Sequence, residues 1–412
     1  TFGAHAASML IYEASEKQQS YLVANYGATH VFDELERKGL PNRISHTLKA
    51  ELTLEEAQLL KKKFNLNIGP NPTQTFLSDE AYEHHQWALK NKGVPLIKRI
   101  SDIDTISIPG QKGEDINLSG IAENPSNRIK VAVVDSGIDP KHPEFRGKIR
   151  QSQLECKQLR RFEQCLTKNP EKQCVQDLAK DMDGNGYPLD CTGWNITSNL
   201  GVEGVEGGPD LSDSNGHGTH VASIIAAARD GKGIAGAIEN VELIPVKVGT
   251  GSSIANASAA TDKIAKAVRY AISAGAQIIN LSLGWRFEQD SLLMREIIEL
   301  ANSKNILVVA GAGNDGHEAP VYPCSYENVI CVASHTVNGE LSSFSNYGAH
   351  VDVVAPGEQI LGAWPTGKRS RFFTADDNYE YLSGTSQAAP YVTAVLARLL
   401  NLGLTPEEAK IK

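Results

Sequence analysis

The chain holds 412 residues, 41% of them hydrophobic and 6% aromatic, with 36 glycines and a formal net charge of −9 at pH 7. Such a composition belongs to an α/β globular enzyme of two or three domains and excludes a disordered or collagen-like chain. The acid excess argues against nucleic acid or an anionic membrane as partner, and no apolar run of about 18 residues is there to span a bilayer.

The first residues, Thr1-Phe-Gly-Ala, lack the charged start and long apolar stretch of a secretion signal, so the chain reads as one already trimmed. Residues 1–77 read as a small α+β domain of βαββαβ type. Residues 8–12 suit a strand, 16–26 a helix, and 46–52 alternate as a strand does. Residues 53–63 suit a helix with the capping pair Thr53 and Glu56 and a basic last turn, and 65–68 a final strand. The polar stretch 71–80, which holds Pro72, then links this domain to a second one over 78–412.

In the second domain, short apolar runs at 131–134, 241–248, 278–283, 306–310 and 329–333 alternate with helical stretches at 222–228, 260–274 and 290–303. Buried strands separated by helices predict a doubly wound, mostly parallel sheet, with functional groups at the carboxyl ends of strands. Pro406 follows Thr405 and precedes Glu407 and Glu408, which marks a helix start. The chain stops inside that helix, so a longer natural chain is expected.

Six cysteines are present. Cys324 and Cys331 lie close enough to close a small loop. Cys156, Cys165, Cys174 and Cys191 cluster in one insertion, where three connectivities are open. Paired clusters predict disulfides and an oxidising compartment, with free thiols as the alternative. Zinc is disfavoured, because no pair shows Cys-x-x-Cys spacing. In the same insertion, Asp181, Asp183 and Asn185 stand at positions one, three and five of a loop that continues to Asp190. That start suits calcium, but position twelve is Thr192 and not the closing glutamate; a metal-free loop of Asx turns is the alternative. Glu144 with the loop 229–232 is a second candidate, weakened by Lys232.

Three further segments carry chemistry. Ser386 lies in Tyr381-Leu-Ser-Gly-Thr-Ser-Gln-Ala-Ala-Pro390, a small-residue run that opens a helical stretch. Backbone N–H groups and the helix dipole there favour the negative charge of an acyl-transfer intermediate. A serine needs a base and a group that orients the base. Asn215-Gly-His217-Gly-Thr-His supplies a histidine on a glycine turn, and Val131-Ala-Val-Val-Asp135 ends a strand on an acid. Taken singly, Asp135 also suits a turn or helix cap, His217 a loop, and Ser386 an N-cap. The nearby His220 suits packing or a local hydrogen bond, and Asp139, before Pro140, a turn.

The order Asp135, His217, Ser386, each in its own local context, resembles the subtilases, the subtilisin-like serine proteases, for which that triad order is a known signature. The resemblance covers residues 80–412, with a weaker match before. It implies a secreted endopeptidase acting on peptide or protein substrates, with Asn314 of Ala310-Gly-Ala-Gly-Asn314 as side-chain oxyanion donor and no cofactor needed for the chemistry. It implies pocket walls from Ser282, Leu283 and Gly284 and from Gly311, Ala312 and Gly313, with Val321 at the floor. Residues 1–77 then resemble a propeptide that aids folding and inhibits its own enzyme. Self-cleavage is expected within 71–80, with the dibasic Lys98-Arg99 as the rival site. Trp285 and Val321 replace small residues, which argues against broad preference for large aromatic side chains, and Gln387 stands where many relatives carry methionine. A narrow processing protease and a non-catalytic binding module are the alternatives. A glutamate-based serine-carboxyl peptidase is disfavoured by the His217 segment.

Overall fold

The computed structural model describes residues 123–411 except 204, 250, 252–260, 287–289 and 372–375. Before residue 123 it describes 7–12, 19, 22, 24–25, 29–30, 48–52, 60–63, 67–70, 86–89, 96–99, 105–108, 115–116 and 118. The linker 71–80 lies outside the described residues. The chain divides into two compact units, Thr1–Leu77 with Ile100–Asp104, and Ser78–Arg99 with Thr105–Lys412.

The first unit holds β1 (Ala7–Tyr12), β2 (Thr29–His30), β3 (Leu48–Leu52) and β4 (Asn67–Pro70). They form one antiparallel sheet in the order β2-β3-β1-β4. First and third strands at the centre, second and fourth at the edges, is the order a βαββαβ chain produces. Residue 19, residues 22, 24–25 and 60–63 are helical between the strands.

The second unit begins with the antiparallel pair β5 (Leu96–Arg99) and β6 (Thr105–Ile108). Its sheet is built from β7 (Ile129–Asp135), β8 (Trp194–Asn195), β9 (Val241–Lys247) and β10 (Ile278–Leu281). After β11 (Trp285–Arg286) come β12 (Leu307–Gly311), β13 (Val321–Tyr322), β14 (Val329–His335) and β15 (Val353–Pro356). The seven-stranded order is β15-β14-β12-β10-β7-β9-β8, with every pairing parallel. β11 pairs with β13, and β16 (Ile360–Ala363) with β17 (Tyr379–Leu382), as short antiparallel ribbons. From β7 the chain winds to β8 and β9 on one side and then to β10 on the other. The crevice beyond the carboxyl end of β7 is therefore the switch point where α/β sheets place their sites.

Strand side chains alternate between two cores. Val131 and Val133, Val241 and Leu243, and Leu307 and Val309 face one side. Ala132 and Val134, Ile244 and Val246, and Val308 and Ala310 face the other. That period of two, apolar on both faces, is why these strands read as unbroken apolar runs. The helices are α1 (Gln153–Leu166), α2 (Glu171–Leu178), α3 (His217–Ala226), α4 (Thr261–Ser273), α5 (Leu292–Ser303), α6 (Thr385–Asn401) and α7 (Pro406–Ile411). α3 starts on the glycine turn at His217 itself and takes in the expected helical stretch from 222 as far as Ala226. At the start of α7, Thr405 and Glu408 form a capping box, with Glu408 Oε2 accepting from the Thr405 N–H at 2.8 Å.

The cysteine insertion folds as α1 and α2. Its pairs are Cys156–Cys191 and Cys165–Cys174, one of the three open connectivities, and Cys324 joins Cys331.

Candidate active site

Asp135 ends β7 at the switch point. Its Oδ1 accepts from the Ser136 N–H at 2.7 Å, and His217 Nδ1 lies 2.8 and 3.0 Å from its two carboxylate oxygens. Two glycines allow this approach. Gly216 has φ +103°, in the left-handed region. A Cβ on Gly218 would meet Gly137 O at 2.1 Å and Asp135 Cβ at 3.0 Å, so any other residue would push α3 off the end of β7.

Burial disfavours a charged imidazole at His217. The charge and hydrogen bond of Asp135, with the charge of Asp213, outweigh that effect and raise His217 above the ordinary histidine value. Holding Nδ1 on a carboxylate makes it the donor and leaves Nε2 as the basic nitrogen. His220 behaves as a packing residue. It is fully buried, its Nε2 bonds to the carbonyls of Ile360 and Glu380 at 3.1 Å each, and burial with nearby His217 pushes it down to about 3.

Ser386 is the second residue of α6. Pro390 has no N–H, so the Ser386 carbonyl loses its partner four residues on. Ser282 Oγ fills the gap, donating to that carbonyl at 2.8 Å, while Ser386 Oγ donates to Ser282 O at 3.1 Å. Asn280 holds Ser282 in turn, Nδ2 to Oγ at 2.9 Å, and Thr393 Oγ1 donates to Asn280 Oδ1 at 2.9 Å. The end of β10 and the first turns of α6 are thus stitched together. α3 and α6 pack against each other. Among the described residues no hydrogen bond joins Ser386 Oγ to His217; the hydroxyl is turned to Ser282.

Asn314 follows β12. Its Oδ1 accepts from the Thr385 N–H at 2.8 Å and Thr385 Oγ1 at 3.1 Å. Those donors fix the amide's orientation, because only the oxygen can accept. Nδ2 is the end left for another acceptor. The Ser386 N–H, in the first turn of α6, has no acceptor within the helix either. A cavity of about 310 Å³ opens here, lined by Leu283, Gly284, Trp285, Gly311, Gly313, Asn314, Asp315, Val321, Thr385 and Ser386. Two expected pocket residues stand elsewhere. Ala312 is fully buried in the opposite core, because strand alternation sends it the way of Ala310 while Gly311 and Gly313 face the cavity. Ser282 is buried behind Ser386 and holds it.

The expected calcium residues separate. Asp181 gives its oxygens to the Gly184 and Gly186 N–H groups, at 2.8 and 2.7 Å. Asp183 and Asp190 instead join Glu155 from α1, each with an oxygen within 4.8 Å of the others. Asn185 Nδ2 donates to Asp190 Oδ2 at 2.9 Å. Arg150 bridges Asp190 and Asp183 at 3.2 and 3.4 Å. Asp190 Oδ1 is buried with no hydrogen-bond partner. Glu144 is also buried; its Oε1 accepts from Ile234 N–H at 3.0 Å and Tyr379 O–H at 2.7 Å, and burial pushes its carboxyl up to about 7. Glu155, Ser136 and Asp213 were not legible as site residues. A signal existed for Asp213, an acid four residues before His217.

The sequence model of the subtilase family matches residues 126–411. The chain therefore belongs to the subtilase family. Its relatives include the thermophilic serine proteinase of Bacillus sp. strain AK1, 41% identical over 204 residues, 49% of this chain and 47% of that protein. Thermitase of Thermoactinomyces vulgaris is 32% identical over 275 residues, 66% of this chain and 75% of thermitase. The chain thus spans about half of the first relative and three quarters of the second. A solved protease from Pseudoalteromonas arctica shares the fold at a TM-score of 0.58 and 24% identity, over 81% of this chain and 90% of that one.

Proposed function

We propose that the chain is a serine endopeptidase, made as a self-processing proform, with Asp135, His217 and Ser386 as its triad. The observation that carries the reading is the cavity that Ser386 shares with Asn314. Ser386 Oγ attacks the substrate carbonyl as His217 Nε2 takes its proton. Asp135 holds the ring and stabilises the imidazolium. The oxyanion is met by Asn314 Nδ2 and the Ser386 N–H, dipoles already fixed before reaction. His217 then protonates the leaving amine, and water repeats the cycle. A hydroxyl parked on Ser282 O fits a free enzyme, whose catalytic hydrogen bonds tighten only with substrate. Fluorogenic peptides test the reading: the parent chain hydrolyses them and Ser386→Ala does not. Equal rates would remove Ser386 from the role.

Specificity is narrow in this reading. Val321 Cγ1 lies 2.9 Å from where a Cβ on Gly284 would stand, and Cγ2 lies 3.0 Å from that of Gly313. Its methyl groups close the space between two walls, which favours small side chains before the scissile bond. Residues 1–77 act as propeptide and inhibitor, supported by the βαββαβ strand order. Three disulfides support a secreted protein. Among the described residues no helix is long and apolar enough to cross a membrane.

A structural calcium fits Glu155, Asp183 and Asp190. The donors are all hard oxygens, as calcium requires. Asp190 Oδ1 is buried and unpartnered, and three carboxylates against the Arg150 guanidinium leave two negative charges. When bound, the ion would tie α1 to the loop 181–190 and take no part in the chemistry. A chelator should lower the melting temperature, and added calcium should restore it; an unchanged melting temperature rejects the site.

A further inference from the structure

His217 opens α3, yet Gly216, its cap residue, has no side chain to close the helix. Asp213 supplies the missing partner from three residues further back. Its carboxylate is buried, 7% exposed. Oδ2 accepts from the Thr219 N–H at 2.9 Å and from Thr219 Oγ1 at 2.6 Å. Thr219 is the third helical residue, whose N–H an N-cap side chain normally takes. Oδ1 accepts from the Gly216 N–H at 2.8 Å, the Asn215 N–H at 3.1 Å and Ser136 Oγ at 2.9 Å. Ser136 stands beside Asp135, and its Oγ accepts from the Gly218 N–H at 2.9 Å. One acid therefore holds the residue before the histidine directly and the residue after it through Ser136. Both are tied to the end of β7. All five partners of Asp213 are donors, which suits a carboxylate; an amide would turn its own N–H groups against them.

We propose that Asp213 is a positioning residue for the catalytic histidine: it caps the His217 helix from outside and sets the imidazole against Asp135. The proposal rests on the triad reading above. Asp213 also places a second negative charge near the ring. The groups around His217 are Asp135 from β7, His220 on its own helix and Asp213. Lys368 and Lys247 direct their Nζ groups to the carbonyls of Ser214, Asn215 and Ser212, beside them. Asp213 joins Asp135 in favouring the imidazolium over the neutral ring. Loss of its charge lets the ring lose its proton at lower pH.

The test compares the full chain with Asp213→Asn and Ser136→Ala, reading kcat and the pH profile of kcat/KM on one fluorogenic peptide. Active sites are counted with a fluorophosphonate probe. Asp213→Asn should lower kcat about 10–100-fold, the scale of lost outer-shell support. It should also move the acid limb down by about 0.5 pH unit. Ser136→Ala keeps both acids, so kcat should fall while the limb stays. An unmoved limb in Asp213→Asn overturns the electrostatic part and leaves a merely structural residue. If Asp213→Asn yields no countable sites, Ser136→Ala decides: parental kcat there overturns the proposal. A parent chain that hydrolyses no peptide overturns the triad reading beneath it.

Discussion

At the scale of single residues, the proposed mechanism makes His217 decide the pH response. As the base it must be neutral, and its partners hold the cation to higher pH than usual. The acid limb of kcat/KM should therefore lie above about 6.5, with activity rising through it and holding in mild alkali. An acidic optimum, with activity lost above neutrality, would point to a carboxylate base and remove His217. Asn314→Ala should cut kcat by about 10²–10³ with KM little changed, since the lost donor acts on the transition state. A loss confined to KM would make Asn314 a binding residue. Asp135, His217, Ser386 and Asn314 were legible as candidates because each carries reactive chemistry on a glycine-rich turn or strand end. Asp213 and Ser136 were not, because polar residues in a loop look like ordinary turn formers until the fold aligns their donors and acceptors. Ala312 shows the opposite case: within one wall segment, alternation sends every second side chain to the other face.

At the scale of elements, the long central strands were legible as apolar runs. β8, β11 and β13 were not, being two residues each and fixed by neighbours. α6 shows how an element holds Ser386, the proposed nucleophile. Pro390 leaves the Ser386 carbonyl open, and Ser282 closes it. Ser282→Ala should lower stability by about 1–3 kcal/mol in urea unfolding, the scale of a buried acceptor left unpaired. Adding Pro390→Ala returns an N–H to that carbonyl, so the double variant should recover part of the loss. Strict additivity would show that the two residues do not share this acceptor.

At the scale of the whole molecule, the chain divides into two units, and the smaller has the strand order of a βαββαβ domain. If that unit is a propeptide, residues 1–77 added in trans should inhibit peptide hydrolysis by the mature chain at micromolar concentration; undiminished hydrolysis would reject the role. The charge balance and cysteine pattern pointed to a folded enzyme from an oxidising compartment, and the cysteine pairing had to await the fold, because spacing alone does not bring Cys156 to Cys191. In the proposed mechanism this subtilase uses Ser386 as an acyl-transfer nucleophile activated by His217. The most direct measurement is fluorophosphonate labelling of the folded chain, with the adduct mapped by peptide mass. One adduct is expected, on Ser386, lost in His217→Ala and absent from denatured chain. A folded chain that takes no label, as a binding module would, or one that labels equally well as Ser386→Ala, would contradict it.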